Sequence, residues 1–577
     1  MPNFFDENED LVFNFEQLDL AKLVELRERG FADAAEYDYA PTDVADAVDN
    51  YRRVLSLVGD VAGNFIEPRA EEVDLEEAQY ADGEVAYPKG IAESIQRLAD
   101  ADLMGFTLPR RYGGLHMPTV IYSLAIEMVS RADASLMTIF GLQDIAETIH
   151  DFADDATKDE YLPKFASGEV TGAMVLTEPD AGSDLQAVMA SGVSATGDDR
   201  GEWRINGVKR FITNGCGDIL LVLVRSEPGT RDGRGLSLYL VEKGQGVRIR
   251  RIESKLGIHG SPTCEIQFTN APARLIGRRK RGLTSYVMSL MNGARLAIAA
   301  QALGIAEAAC RAALDFAQSR EQFGKPIIEF PAVYEMLTDM QTNIEATRAL
   351  ICKTGVIVDL EKSLAQQLED LDRDSPEYAG VRQAQRGYAK LAKVLTPISK
   401  FFACEMANQV ATDAIQVHGG SGYMRDYPVE RYFRDARITN IYEGTTQLQV
   451  VAAIGGVLAG DLDETFAAVR AERFERPLGV PAKKLVRMLG QLEKCVAYVK
   501  KKDSREYTDL HARRIVEIAT DAYIGALLLG QAKTKAEKQY TARNFIARAA
   551  ARTEANTRLV TSGDQTLLRK HRAMLGV

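Results

Sequence analysis

Three stretches of the sequence carry residue types whose spacing could do chemistry. The longest, residues 413–449, reads DAIQVHGGSGYMRDYPVERYFRDARITNIYEGTTQLQ and places one carboxylate, Glu443, between Tyr442 and Gly444 with Ile441, Thr445 and Thr446 around it. In so apolar a setting a buried carboxyl has a raised pKa, which suits it to general-base work near neutral pH. A helix-capping glutamate is the plainer alternative. The second stretch, LTEPDAGSD at 176–184, offers the backbone N–H groups of Gly182 and Ser183 and small side chains that let a large ligand come close. A strand followed by an ordinary Pro-Gly loop would look the same. The third, FITNG at 211–215, puts the ring of Phe211 and the hydroxyl of Thr213 two residues apart, hence on one face of a strand. Such a pair could cover a flat ring and bond its edge, or simply pack a core.

The elements that must position these residues change character along the chain. Between residues 41 and 170 apolar side chains recur at three and four, as in VADAVDNYRRVLSLVGDVAGNFI and PTVIYSLAIEMVSRADASLMTIFG, the period of amphipathic helices. The segment LPRRYGGLHMP breaks them. From 171 to 282 short β-rich runs take over, among them GAMVLTE, ILLVLVRS, LSLYLVE and EIQFTN, predicting a β domain of about six to eight strands. Within it Asn206-Gly207 predicts a two-residue hairpin. From 283 to 458 the helical period returns in long runs joined by the turn QFGKPIIEFP, and residues 459–577 continue as helices rich in Lys, Arg, Ala and Glu. Residues 1–40 read as an extension ahead of the first domain. The expected class is α+β, mainly α, with function where the layers meet.

Composition narrows the classes. At 577 residues several domains are expected, and 46% hydrophobic with 26% charged residues is the balance of a globular protein. The start, MPNFFDENEDLVFNF, is acidic and lacks a basic then apolar leader, so the expected compartment is the cytoplasm. No run of eighteen apolar residues appears. The six cysteines form no CxxC pair and the six histidines no HxxxH or HExxH, which predicts no metal centre. The net charge of −12 is uneven: from Ala453 onward there are 23 Lys and Arg against 14 Asp and Glu, a balance of +9 on a body of −21. A basic tail of this kind could meet an anionic membrane surface or an acidic partner, and could equally be solvated helix faces.

Taken together and in order, LTEPDAGSD, FITNG, REQFGKP, QVHGGSGY and IYEGTTQLQ, with DEYLPKFASGE at 159–169 and KLGIHGSPTCEIQF at 255–268, resemble the acyl-CoA dehydrogenase family over roughly residues 45 to 455. The resemblance implies an N-terminal helical bundle, a central β domain and a C-terminal four-helix bundle, here followed by an additional helical C-terminal domain. It implies FAD between the β domain and the C-terminal bundle. Met174, Leu176, Thr177, Gly182 and Ser183 would meet the flavin, Phe211 would take the place usually held by a Trp, and Thr213 would bond near flavin N5. Arg320 would reach the FAD pyrophosphate across a subunit interface. Gln416, Gly419 and Gly420 would cradle the dinucleotide of the neighbouring subunit, and Thr445 and Gln447 would contact the cofactor again. Ser183, Asn292 and Arg295 match CoA-binding positions, and Tyr442 and Gly444 flank the substrate.

The implied reaction is α,β-dehydrogenation of an acyl-CoA thioester to the trans-2-enoyl-CoA, with Glu443 as base and flavin N5 as hydride acceptor. The substrate carbonyl would be held by the Glu443 N–H and a ribityl hydroxyl, an oxyanion-hole arrangement. Some relatives carry the base on the helix of Arg295, but here Asn292, Gly293 and Ala294 offer no carboxylate. Electron-transferring flavoprotein is the implied acceptor, and a homodimer or homotetramer the implied assembly. Three departures stand out: Phe330-Pro331 where a His-Gln pair is common, Asn292 for a common Asp, and the extra C-terminal residues, a feature of a long bacterial branch that includes 3-methylmercaptopropionyl-CoA dehydrogenases. An oxidase passing electrons to O₂ and a DNA-associated alkylation-response-like flavoprotein are the alternatives; nucleic acid is the less expected partner for so acidic a body.

Overall fold

Seven strands between residues 172 and 275 form the central sheet: β1 Gly172–Val175, β2 Ser191–Ser194, β3 Trp203–Thr213, β4 Ile219–Arg225, β5 Leu236–Glu242, β6 Val247–Ile252 and β7 Thr263–Leu275. The structure, a computed structural model, describes every residue except Met1 and Arg200, and of Asn292 only the backbone. Pairing runs β1-β4-β2-β3-β7-β5, and β5 pairs back antiparallel onto β4, so the sheet closes into a barrel with β6 added on β7. The run ILLVLVR is continuously apolar because both of its faces are covered. Leu220, Val222 and Val224 point into the barrel with Trp203 and Ile266, while Ile219, Leu221 and Leu223 pack outward against Ile145, Ile149 and Phe165 of the N-terminal helices.

The hairpin expected at Asn206-Gly207 is absent. β3 runs straight through the pair, and a register shift between Ile205 and Gly207 marks a bulge against β7. Gly207 adopts φ 143°, and a Cβ there would lie 2.5 Å from the Ala190 Cβ, so the glycine serves close strand approach rather than a turn. Asn206 spends its amide on the other strand, donating to Asn270 Oδ1 at 3.1 Å and accepting from the Asn270 N–H at 2.9 Å.

The helices divide into the expected layers. Near the N-terminus come α1 Glu9–Glu16, α2 Ala21–Arg27, α3 Val44–Val61, α4 Thr119–Ala132, α5 Ala134–Gly141 and α6 Asp155–Ser167. Phe4, Phe5, Leu11 and Phe15 are buried in one core with Val120, Ile121 and Leu124, so the first residues are integral to the helical layer. After the barrel follow α7 Met288–Ser319, α8 Pro331–Asp370, α9 Tyr378–His418, α10 Val429–Thr439 and α11 Thr446–Ala459, then α12 Gly479–Lys502, α13 Arg505–Thr534 and α14 Lys538–Thr561. Two helices, Gly282–Ser319 and Arg505–Thr534, are long and apolar enough to cross a membrane, but 89% and 72% of those windows are buried inside the protein. Their apolarity is explained by the core they fill.

A buried charge cluster joins these layers. Arg348 on α8 meets Asp10 of α1, Glu127 of α4 (2.6 Å) and Glu307 of α7 (2.8 Å). Lys538 of α14 meets Asp10 as well and Glu345 at 2.8 Å.

Candidate active site

The connection between α10 and α11, residues 440–445, carries Glu443. It is a tight excursion rather than a helix end. Glu443 itself sits in the left-handed region at φ 51°, and Gly444 at φ 89°. A non-glycine residue there is strained by roughly 1–2 kcal/mol, so neighbours must hold it. They do. Gln449, fully buried on α11, donates its amide to the carbonyls of Glu443 (3.2 Å) and Gly444 (2.9 Å). Lys400, buried on α9, donates to the carbonyls of Thr439 (3.0 Å) and Gly444 (2.8 Å). A Cβ on residue 444 would lie 2.7 Å from Gln449 Nε2, so only glycine fits beneath this amide. The Glu443 N–H has no hydrogen-bond partner among the described residues.

Glu443 opens into a cavity of about 510 Å³, counting its mouth. One wall is Met174 and Thr213 of the barrel; another is Leu290, Ala294 and Ala297 of α7; the far side is Met137, Gly141 and Asp144. Burial pushes the Glu443 carboxyl up to about 6, against the lowering pull of Lys400 and Arg295. It is therefore ionised at neutral pH yet basic enough to take a proton. Asp144, the other acid lining the cavity, is raised well above the usual carboxylate range by burial and by the adjacent Glu147.

The candidate residues fall into two groups. Met174, Thr213, Tyr442 and Glu443 line the cavity, Gly444 and Thr445 follow directly, and Arg295 lies close enough for its charge to act on Glu443. Tyr442 turns its hydroxyl to Gln301, and Thr445 caps α11 by accepting from the Leu448 N–H. Gln447 is exposed on the first turn of α11. The two barrel motifs adjoin, since the Arg210 N–H donates to the Thr177 carbonyl at 2.9 Å. Phe211 keeps 53% of its surface exposed, and Gly182 and Ser183 are exposed beside it in the loop after β1. Leu176 differs: its side chain is buried in the layer between barrel and helices, and its carbonyl accepts from Lys209 at 2.8 Å. The side chain of Asn292 lies outside the described residues.

Arg320, Gln416, Gly419 and Gly420 are elsewhere within this chain. Ala297 and Arg320 are separated by most of α7, roughly 35 Å at 1.5 Å per residue. Arg320 and the C-terminal end of α9 meet at that far end, where Phe316 stacks on His418 at 4.3 Å. All four residues are exposed there, next to Phe323 (95% exposed) and Tyr423 (81%).

Sequence reasoning missed the groups that hold the site. Lys400 is one cation in the apolar run VLTPISKFFACEMA, and a lone charge on a buried face was the available signal. Glu178, in LTEPDAGSD, is also buried: it pairs with Lys209 at 2.9 Å and accepts from the N–H groups of Met189 (2.8 Å) and Ala190 (3.0 Å), tying the glycine loop to the barrel. Replacing Lys400 with Met removes the nearest cation that lowers the Glu443 carboxyl, so that carboxyl rises above about 6 and the acid limb of the activity profile moves to higher pH. The expected loss is roughly three- to tenfold at pH 6.5 and smaller at pH 8.5. A rate–pH profile of the variant with an unmoved acid limb would refute the electrostatic link.

Four domain families match in order: Acyl-CoA dehydrogenase, N-terminal domain (residues 49–169), middle domain (173–271) and C-terminal domain (296–447), and Acyl-CoA dehydrogenase C terminal (467–563). An acyl-CoA dehydrogenase of Bacillus subtilis is 37% identical over 369 residues, covering 62% of this chain and 86% of that protein. The chain belongs to the acyl-CoA dehydrogenase family. A 3-methylmercaptopropionyl-CoA dehydrogenase of Ruegeria pomeroyi is 33% identical over 462 residues, 74% of each chain. Among solved structures, a chain in one described as the electron transferring flavoprotein of Acidaminococcus fermentans aligns with TM-score 0.60 and 32% identity, covering 70% of this chain and 96% of that one. An acyl-CoA dehydrogenase of Bacillus anthracis complexed with FAD aligns with TM-score 0.75 over 91% of this chain and 90% of that one; at 22% identity it speaks to the fold, and it extends the fold match through the C-terminal helices.

Proposed function

We propose that this acyl-CoA dehydrogenase family enzyme binds FAD and removes hydrogen from the α and β carbons of an acyl-CoA thioester, with Glu443 as the base for the α proton. The observation that carries the reading is the Glu443 carboxylate, raised to about 6 and facing a mainly apolar cavity bounded by the barrel and the C-terminal bundle. The chain's surfaces fit the cofactor. Phe211 offers a half-exposed ring two residues before Thr213, which lines the cavity, and a Cβ on Gly182 would meet only Thr177 Cγ2 at 3.8 Å, leaving room for a ligand against the backbone. Met174, Thr177, Ser183, Phe211 and Thr213 would hold the flavin, and Thr445 and Gln447 would touch it from the bundle. FAD bound there would supply the hydride acceptor.

The protein's own part is then to orient the thioester, exclude water and take the proton. Met137, Leu290 and Ala297 give the acyl chain an apolar sleeve that keeps water from the reacting carbons. The Glu443 N–H, left without a protein acceptor by the left-handed turn, is the donor for the thioester carbonyl, where negative charge grows as the α proton leaves. Glu443 Oε receives that proton. Arg295 and Ser183 are the candidate CoA contacts.

Electron transfer to an electron-transferring flavoprotein is supported by the relative found in such a structure. A homodimer or homotetramer is supported by Arg320, Gln416, Gly419 and Gly420, which stand exposed too far away to serve this chain's own cavity; sedimentation at the monomer mass would remove it. The deciding experiment is an anaerobic titration of the yellow protein with a panel of acyl-CoA thioesters, expected to bleach the flavin with at least one of them. A protein that stays oxidised with every thioester, straight-chain, branched and thioether-bearing, would sink the assignment. Stoichiometric hydrogen peroxide during aerobic turnover would redirect it to an oxidase.

A further inference from the structure

The helices after residue 461 reach the turn that carries Glu443 by two routes. The first is packing. α11 begins three residues beyond Glu443, and its buried side chains Val450, Ala453 and Val457 lie in the same apolar core as Leu485, Ile515 and Ala519 of α12 and α13. The second is polar. Glu405 on α9 accepts at Oε1 from the Thr446 hydroxyl (2.6 Å) and the Asn440 amide (3.2 Å), one on each side of the turn, and its Oε2 accepts from Arg513 Nη2 of α13 at 3.0 Å. Arg513 is itself aimed by Glu517, one helical turn on, at 2.8 Å, and its guanidinium lies 5.6 Å from the ring of Phe401. Phe401 stands between Lys400 and Glu405 in sequence, so both supports of the turn come from the stretch of α9 that α13 covers.

We infer that the C-terminal helical domain is a positioning element of the catalytic turn, and that Arg513 is its positioning residue, acting through Glu405 on Asn440 and Thr446. The inference rests on Glu443 being the base. Both loop bonds converge on one carboxylate oxygen, so rotation of Glu405 releases both at once. Arg513 is what fixes the other oxygen. Burial alone would raise the Glu405 carboxyl, but the Thr446 hydroxyl and the Arg513 charge hold it below the ordinary range, so it remains an ionised acceptor. Arg513 and Glu405 are 48% and 32% exposed, and an ion pair so placed adds little global stability. Its consequence is local: a base displaced by about 1 Å loses catalysis out of proportion to any change in fold stability.

The test uses the full-length, flavin-loaded enzyme and three variants, Arg513→Met, Arg513→Lys and Glu405→Gln. Amide hydrogen exchange over residues 438–447 is read first, because it reports the turn whatever residue is the base. Exchange in Arg513→Met and Glu405→Gln is expected to quicken by about tenfold there with α9 unchanged. Flavin reduction by the thioester that bleaches wild type fastest is expected to slow about fivefold, with KM nearly constant. Arg513→Lys should recover more than half of both effects. Unchanged exchange would overturn the inference, and so would faster exchange with an unchanged rate of reduction. Should Glu443→Gln prove fully active, the base assignment fails by itself, whereas the exchange data still report on the clamp. Glu405→Gln, which keeps an acceptor for Thr446, guards against misfolding of the Arg513 variants.

Discussion

Glu443→Gln is expected to retain FAD and the thermal midpoint of the wild type, and to reduce its flavin with an acyl-CoA thioester about 10²–10⁴-fold more slowly. The amide matches the carboxylate in shape, so the cavity wall and the Glu443 N–H stay in place. What disappears is a cavity carboxyl standing at about 6, because burial outweighs the pull of Lys400 and Arg295. The loss corresponds to roughly 3–5 kcal/mol of transition-state stabilisation. In the wild type the sign of the pH dependence follows from the same value: the base works when deprotonated, so reduction slows as pH falls through about 6. The measurement is stopped-flow bleaching at pH 7.5 with flavin content quantified in parallel. Wild-type rates in the variant would exclude Glu443 as base. A residual rate abolished by adding Asp144→Asn would shift the role to the second acid of the cavity.

Parts of this site were open to reading from the chain, and others were closed for physical reasons. Strand runs such as ILLVLVR and LSLYLVE announce themselves because a barrel wall buried on both sides is mostly apolar along its length. The Asn206-Gly207 pair misled because a glycine at φ 143° serves a bulge as well as a hairpin, and only Ala190, just ahead of the neighbouring strand, decides which. From its local sequence Glu443 reads more simply as a cap than as a base, and only the ordered motifs of the family resemblance single it out. What distinguishes them is Lys400, more than forty positions earlier, and the left-handed backbone that Gln449 and Lys400 jointly hold. Such partners leave no local periodicity. The motif resemblance supplied Arg320 and Gln416–Gly420, yet one chain leaves them at the opposite end of α7 from the cavity, a separation no local pattern reveals. The C-terminal domain had only its charge balance to show, since the contacts of Arg513 and Lys538 depend on helices folding back across hundreds of residues.

Arg348→Met is expected to be the most destabilising single change outside the cavity, by about 3–5 kcal/mol at pH 8. Arg348 is buried, and three carboxylates from three helices converge on it: Asp10, Glu127 and Glu307. Methionine fills much of the volume but leaves those acids together without their cation. Asp10 retains Lys538, and Glu307 retains Arg311 at 2.7 Å, whereas Arg348 is the sole ion-pair partner of Glu127 among the described residues. Burial has already pushed the Glu127 carboxyl up in the intact protein, while Arg348 and Arg311 hold Glu307 at about 2 against the same burial. Removing Arg348 raises both in the folded state. An acid whose folded pKa exceeds its unfolded value takes up a proton on folding, so stability falls as pH rises through that window. The deficit should therefore be largest near pH 8 and shrink toward pH 5, the opposite of the wild-type contribution of Glu307, which is present above the unfolded glutamate range and lost as pH falls toward about 2. Thermal denaturation midpoints of the wild type, Arg348→Met and Arg348→Lys at pH 5 and pH 8 check both magnitude and sign. Because α1, α4, α7 and α8 all end on this one guanidinium, the variant should also lose cooperativity, with residues 1–27 releasing before the barrel. An equal deficit at both pH values would show that packing, not charge, is what Arg348 provides.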